Sequence, residues 1–139
     1  VVPEGWSIVW IQGPLASAPK IAKGSRIDVT IDPAELLELM AQSEIIISCY
    51  GLSLFEALSC KAATLLLPVQ HLCSANELAA FKQTGCAILA ETLEQVPMLL
   101  SELIDKPELR VQLQKRVGEM FSGGSGMIKF VNKIRDMLS

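Results

Sequence analysis

Histidine and aromatic residues are scarce in this chain, and its cysteines are not closely spaced. This composition argues against a structural metal site. The 139 residues include one histidine and four cysteines, and no two cysteines form a Cys-x-x-Cys pair. A structural zinc site needs close ligand pairs and usually more than one histidine. We therefore predict no metal site, and we interpret the cysteines as reduced thiols that pack as small apolar side chains in a cytoplasmic protein.

Positive charge and long apolar runs are lacking as well. Twelve Lys and Arg stand against 15 Asp and Glu, which leaves a formal net charge of -3. Nucleic acids and anionic membranes select basic faces, so we expect neither as a partner. No apolar run approaches the ~20 residues of a membrane span, and the start does not resemble a signal peptide. The chain begins at Val1 rather than at Met, which we interpret as a fragment of a longer protein.

Aliphatic residues are abundant, and their arrangement predicts the fold. Half of the chain is hydrophobic although only 5% is aromatic. Short, nearly continuous apolar runs alternate with helical patterns, as expected of a parallel sheet that is covered on both faces. This predicts one α/β domain with a Rossmann-like, doubly wound parallel sheet of about five strands. The predicted strands are Ser7–Gln12, Ile27–Ile31, Glu44–Ser48, Thr64–Pro68 and Cys86–Glu91. The predicted helices are Pro33–Gln42, Leu54–Cys60, Ala75–Thr84, Leu93–Ile104, Pro107–Phe121 and Met127–Leu138.

A capping-box pattern recurs where predicted helices begin. A short polar residue is followed three positions later by Glu or Gln, and each side chain can accept a hydrogen bond from the backbone N–H of the other residue. The pattern starts at Asp32, Ser53, Ser74 and Thr92. Under this interpretation, Ser53 and Glu56 begin a helix and have no further role.

The loop after the third strand allows a second interpretation. Ligands of open parallel sheets bind beyond the carboxyl ends of the strands, where helix N-termini present unpaired amides. Gly51 permits close approach of a ligand, and the amides of Leu52, Ser53 and Leu54 follow it. The carboxylate of Glu56, about one turn into the helix, can accept hydrogen bonds from both hydroxyls of a ribose. A phosphate on the amides and a sugar on the carboxylate together describe a nucleotide.

Residues 43–85, SEIIISCYGLSLFEALSCKAATLLLPVQHLCSANELAAFKQTG, resemble the nucleotide-sugar half of GT-B enzymes. The similarity rests on a small residue, Gly, Ser, Leu and Glu-Ala, then a strand that ends in Pro, then Asn and a helix that closes on Gly. The chain is similar to the glycosyltransferase family 28 C-terminal domain. It resembles more closely the UDP-sugar hydrolase family of pseudaminic acid synthesis and the related spore-coat polysaccharide proteins. The tail ELRVQLQKRVGEMFSGGSGMIKFVNKIRDML has the Gly-rich break between two helices of that second group.

The resemblance implies a GT-B-type half-domain that lacks its first strand, with the strand order 2-1-3-4-5. The implied nucleotide-sugar contacts are Ile31 and Asp32 for the base, Glu56 for the ribose, Gly51, Leu52, Ser53 and Leu54 for the diphosphate, and Gln70, His71 and Asn76 for the sugar. The chain departs from the family at Lys61-Ala62-Ala63, where many relatives have Gly-x-Pro, and at Leu72-Cys73, where a glutamine is often present.

We therefore expect the donor-binding domain of a UDP-sugar glycosyltransferase or hydrolase of cell-surface polysaccharide biosynthesis. The catalytic groups would lie on a missing N-terminal domain, so we assign no catalytic residue and expect the isolated chain to be inactive. The expected protein partner is that missing domain or, alternatively, a second copy in a homo-oligomer. His71 has no evident orienting carboxylate and fits a solvated loop better than a general base. The alternative is a non-catalytic, flavodoxin-like α/β binding or assembly module.

Overall fold

The computed structural model describes residues 3–13, 15–31, 34–68 and 74–120. The chain divides into two compact units, Val1–Leu36 and Leu37–Ser139. Helices and parallel strands make up the described residues, which confirms the α/β class. The strands pair as one two-stranded sheet and one three-stranded sheet, so the single sheet of about five strands stays a prediction.

The first unit contains a pair of parallel strands, β1 (Ile8–Gln12) and β2 (Ile27–Ile31). Both were predicted, and β1 begins one residue later than expected. The described residues of the connection between them contain no helix. Apolar side chains of the pair are partly exposed, with Trp10 49% and Val9 44% accessible. Among the described residues of this unit no apolar side chain is buried, so the two strands have no core of their own.

The second unit contains a parallel sheet in the order β3-β4-β5, with β4 in the centre. The fifth strand is much shorter than predicted, and the first three residues of the predicted helix Leu93–Ile104 form a 3₁₀ helix, Leu93–Gln95, so that the α-helix begins only at Val96. The strands are β3 Ile45–Ser48, β4 Ala63–Leu66 and β5 Ile88–Leu89. The helices are α1 Leu36–Gln42, α2 Leu52–Ser59, α3 Ala75–Thr84, α4 Val96–Asp105 and α5 Pro107–Met120.

The core of the second unit lies on both faces of β4, all four residues of which are inaccessible to solvent. Leu65 packs in a cluster with Leu103 of α4 and Leu113 of α5. The next residue, Leu66, packs in another cluster with α2 and with Val117. Because successive side chains of a strand point to opposite faces, helices cover this sheet on both sides. The predicted doubly covered, aliphatic core is therefore confirmed for these three strands.

The cysteines follow the predicted pattern only in part. Cys86 is buried in the core, but Cys49 is exposed and Cys60 is partly exposed. All three thiols are free, as expected. Cys49 is exposed because it follows the last residue of β3, where the chain leaves the sheet.

Arg110 joins three parts of the second unit. Its guanidinium donates hydrogen bonds to the carbonyl oxygens of Leu103 (2.6 Å) and Ile104 (3.0 Å), near the C-terminus of α4. It also forms an ion pair with Glu44, 3.1 Å away, immediately before β3. Carbonyls at a helix C-terminus have no partner within the helix, so the side chain of α5 satisfies groups that α4 leaves open.

Candidate functional site

The segment from β3 into α2 is the candidate site, and its helix begins earlier than predicted. α2 starts at Leu52 rather than Leu54, and Gly51 is its N-cap. The prediction that Ser53 caps this helix is wrong, since Ser53 is the second helical residue and no side chain caps the helix. Gly51 adopts φ 150° and ψ -162°, a region that is essentially restricted to glycine. That turn at Gly51 allows the helix to begin immediately after it, two residues before the predicted start.

The other capping boxes have different outcomes. At α3 the box is formed: the Ser74 hydroxyl accepts from the Glu77 N–H (3.2 Å), and the Glu77 carboxylate accepts from the Ser74 N–H (2.7 Å). The hydrogen bonds from Ser74 lower the pKa of Glu77 from its ordinary value of 4.5. The prediction of a capping box at Thr92 is wrong, because the Gln95 side chain accepts a hydrogen bond from the Glu91 N–H at 2.9 Å rather than from the Thr92 N–H. The box predicted at Asp32 lies outside the described residues.

The start of α2 offers fewer free amides than the sequence indicates. The Leu54 N–H donates to the Gly51 carbonyl oxygen at 3.2 Å, and the Leu54 side chain is fully buried. Within the described part of the chain, the amides of Leu52 and Ser53 have no backbone acceptor. Two consecutive N–H groups at an exposed helix N-terminus can bind one oxyanion group, and the helix dipole favours negative charge there.

Glu56 lies on the same side of α2 as the first helical residue. It is four positions after Leu52, and helical side chains lean toward the N-terminus, so its carboxylate is directed along the face that Leu52 begins. The residue is half-buried. Among the described residues, no hydrogen-bond or ion-pair partner of this carboxylate is present. Its two oxygens are therefore open to a donor outside the described chain.

Tyr50 attaches the loop to the core. Its ring packs edge-on against Phe55 of α2, with centroids 6.3 Å apart, and against Phe81 of α3, at 6.4 Å. It also contacts the buried cluster around Leu66. Its neighbours at the helix start face the solvent, with Leu52 82% accessible. The loop is thus fixed on its inner side and open on its outer side.

The contact between Tyr50 and Phe81 has no counterpart among the sequence predictions. The two rings lie on elements far apart in the sequence, and no local spacing indicates that they meet. Tyr50 and Phe81 have in common only that both are large apolar residues near the ends of predicted elements. That feature is too common to predict a contact between them.

The remaining candidate residues lie on other elements or outside the described residues. Ile31 ends β2 in the first unit, and Asn76 is an exposed residue in the first turn of α3. Asp32, Gln70 and His71 lie outside the described residues. Within the second unit, the β3–α2 segment brings together the candidates Gly51, Leu52, Ser53, Leu54 and Glu56.

Metal clusters and membrane spans are both absent from residues 3–13, 15–31, 34–68 and 74–120. In these ranges no group of three or more His, Cys, Asp or Glu is placed to hold a metal ion. No helix within the same ranges has the length and apolar character needed to cross a membrane.

The start of α2 combines two exposed amides with a carboxylate on the same helix face, and such an arrangement can bind an oxyanion. Two exposed amides follow Gly51, and a Cβ at Gly51 would meet no atom of the described residues within 4 Å. Comparisons with known proteins found no matching family model, no matching curated protein and no matching solved structure.

Proposed function

We propose that the β3–α2 segment binds the phosphate and ribose of a nucleotide-sugar, and that the chain is the donor-binding domain of a UDP-sugar glycosyltransferase or hydrolase. The observation that carries the proposal is the backbone of Gly51, which turns with φ 150° at the junction between the buried sheet and the exposed helix start. In open parallel sheets this junction is where ligands bind.

The phosphate would be held by backbone rather than by basic side chains. The amides of Leu52 and Ser53 are exposed, and the open space over Gly51 allows an oxygen to approach the main chain closely. Such an arrangement binds an anion through hydrogen bonds and the helix dipole together. It is consistent with a site that contains no Lys or Arg between Ile45 and Cys60.

The ribose would be held by Glu56. A carboxylate can accept two hydroxyl hydrogen bonds at once, and hydrogen bonds to a charged group contribute roughly 1.5–3 kcal/mol each. The same helix then binds the phosphate at its first turn and the sugar one turn later. The likeness of residues 43–85 to the nucleotide-sugar half of GT-B enzymes supports the same class of ligand.

The wider assignment follows the same resemblance. Catalytic groups and the acceptor site would come from a further domain or from a second copy of the chain, and the reaction would belong to cell-surface polysaccharide biosynthesis. A cytoplasmic location fits the free thiols of Cys49, Cys60 and Cys86. The two parallel sheets would join as one sheet in the order β2-β1-β3-β4-β5.

Calorimetric titration with uridine diphosphate tests the binding site. We expect Glu56→Gln to weaken binding about tenfold or more, because losing ~1.4 kcal/mol reduces affinity tenfold. Glu108→Gln, at an exposed position in the first turn of α5, is the matched control and should bind as the parent does. The melting temperature of both variants should stay near that of the parent.

The outcomes distinguish the candidate functions. Equal affinity of the parent and Glu56→Gln would remove Glu56 from the site. Absence of binding by the parent at millimolar uridine diphosphate would contradict the donor-binding function and favour a non-catalytic α/β module. Hydrolysis of a UDP-sugar by the isolated chain would contradict the placement of the catalytic groups on another domain.

A further inference from the structure

We draw no further inference here: the strongest candidate, the exposed apolar faces of the two-stranded sheet, with Trp10 and Val29 on one face and Val9 and Ile11 on the other, carries none because nothing in the structure shows what covers them.

Discussion

At the scale of single residues, Gly51 is the position where backbone conformation matters most. Its φ of 150° lies in a region that costs other residues about 1–3 kcal/mol. We expect Gly51→Ala to lower the free energy of unfolding by about that amount, measured by denaturant titration. Steric overlap would not be the cause, because a Cβ at this position has open space.

Gly118 provides the matched control for that substitution. It lies within α5, its φ is not positive, and a Cβ there would also meet no atom within 4 Å. Alanine in a helix interior is favoured over glycine by roughly 0.5–1 kcal/mol, so Gly118→Ala should stabilise the protein. Opposite signs for the two variants are the expected result, and equal signs would contradict the conformational argument.

Lys61 is a non-glycine residue in a left-handed backbone conformation that favours glycine. Its φ is 58°, and it follows Cys60 at the end of α2. The Lys61 N–H donates to Leu58 and the Ala62 N–H donates to Ala57, which is the hydrogen-bond pattern of a Schellman motif. We expect Lys61→Gly to raise the free energy of unfolding by up to about 1 kcal/mol, measured by thermal unfolding. Lys61→Ala keeps the strained φ, so a gain of the same size in that variant would attribute the effect to the lysine side chain instead.

Sequence patterns indicated which residues favour helix starts, but not which of them caps a helix. Ser53 and Ser74 have the same spacing to a glutamate, and only Ser74 forms the box. The difference lies in the preceding residues: Gly51 turns the chain before Ser53 and becomes the cap itself. Which residue caps the helix depends on the direction of the chain as it leaves β3. The local spacing of residues does not contain that information.

At the scale of elements, the capping box of α3 makes stability depend on pH. Hydrogen bonds from Ser74 hold the pKa of Glu77 below 4.5, so the ionised form is favoured in the folded state. The contribution is complete above the unfolded pKa and is lost as the pH falls through the lower folded pKa. We expect the parent to lose stability relative to Glu77→Gln as the pH is lowered through this range, measured by denaturant unfolding at a series of pH values.

A second glutamate serves as the reference for that measurement. A hydrogen bond and the positive charge of Lys82 lower the pKa of Glu91 in the same direction. Glu91→Gln should therefore also flatten the pH dependence, but its effect should fall with added salt more than that of Glu77→Gln, because an exposed ion pair is screened. A pH profile that Glu77→Gln leaves unchanged would contradict the role of the box.

Elements with strong patterns were predictable, and those without them were not. The apolar run of β4 predicted a strand buried on both faces, and all four of its residues are buried. The run at Cys86–Glu91 predicted six strand residues, whereas the strand consists of Ile88 and Leu89, and the Ala90 N–H makes one further hydrogen bond, to the Leu66 carbonyl oxygen at 2.9 Å. An apolar run indicates that residues are buried, but it does not indicate which of them form the hydrogen bonds of a strand. Cys86, for example, is buried without belonging to the strand.

At the scale of the whole molecule, the main prediction is that the five strands form one sheet. Among the described strands, β4 is the one that pairs with β3, with Ile45 opposite Ala63. The Ala63 N–H donates to the Glu44 carbonyl, so by parallel geometry the amides of Ile45 and Ile47 point away from β4. If β1 lies on that side, these two amides are hydrogen-bonded as well.

Amide hydrogen exchange tests this order. We expect the amide of Ile47 to exchange as slowly as that of Ile46, which points toward β4 and is the internal reference. Fast exchange at Ile47 with slow exchange at Ile46 would leave β3 as an open edge and would contradict the five-stranded sheet. Protection that weakens on dilution would assign the neighbouring strand to a second copy of the chain.

Periodicity predicted the existence of β1 and β2 but not the division of the chain into two units. Their residues fit a strand in any sheet, because hydrophobic character does not specify a neighbour. The structure assigns every buried apolar residue of the described chain to the second unit, from Leu54 to Val117. Pairing between distant strands depends on long-range packing, which no short window of sequence contains.

The three contacts of Arg110 have a consequence for the order of events during synthesis. Glu44 leaves the ribosome before Arg110, Leu113 and Val117, which belong to the last helix that the structure describes. Until α5 has emerged, the ion pair is absent and both faces of β4 lack part of their apolar cover. The nascent chain therefore presents the apolar residues of β3 and β4 to the cell before it can bury them. That interval, rather than the finished protein, is when the chain is most exposed to aggregation and most dependent on chaperones.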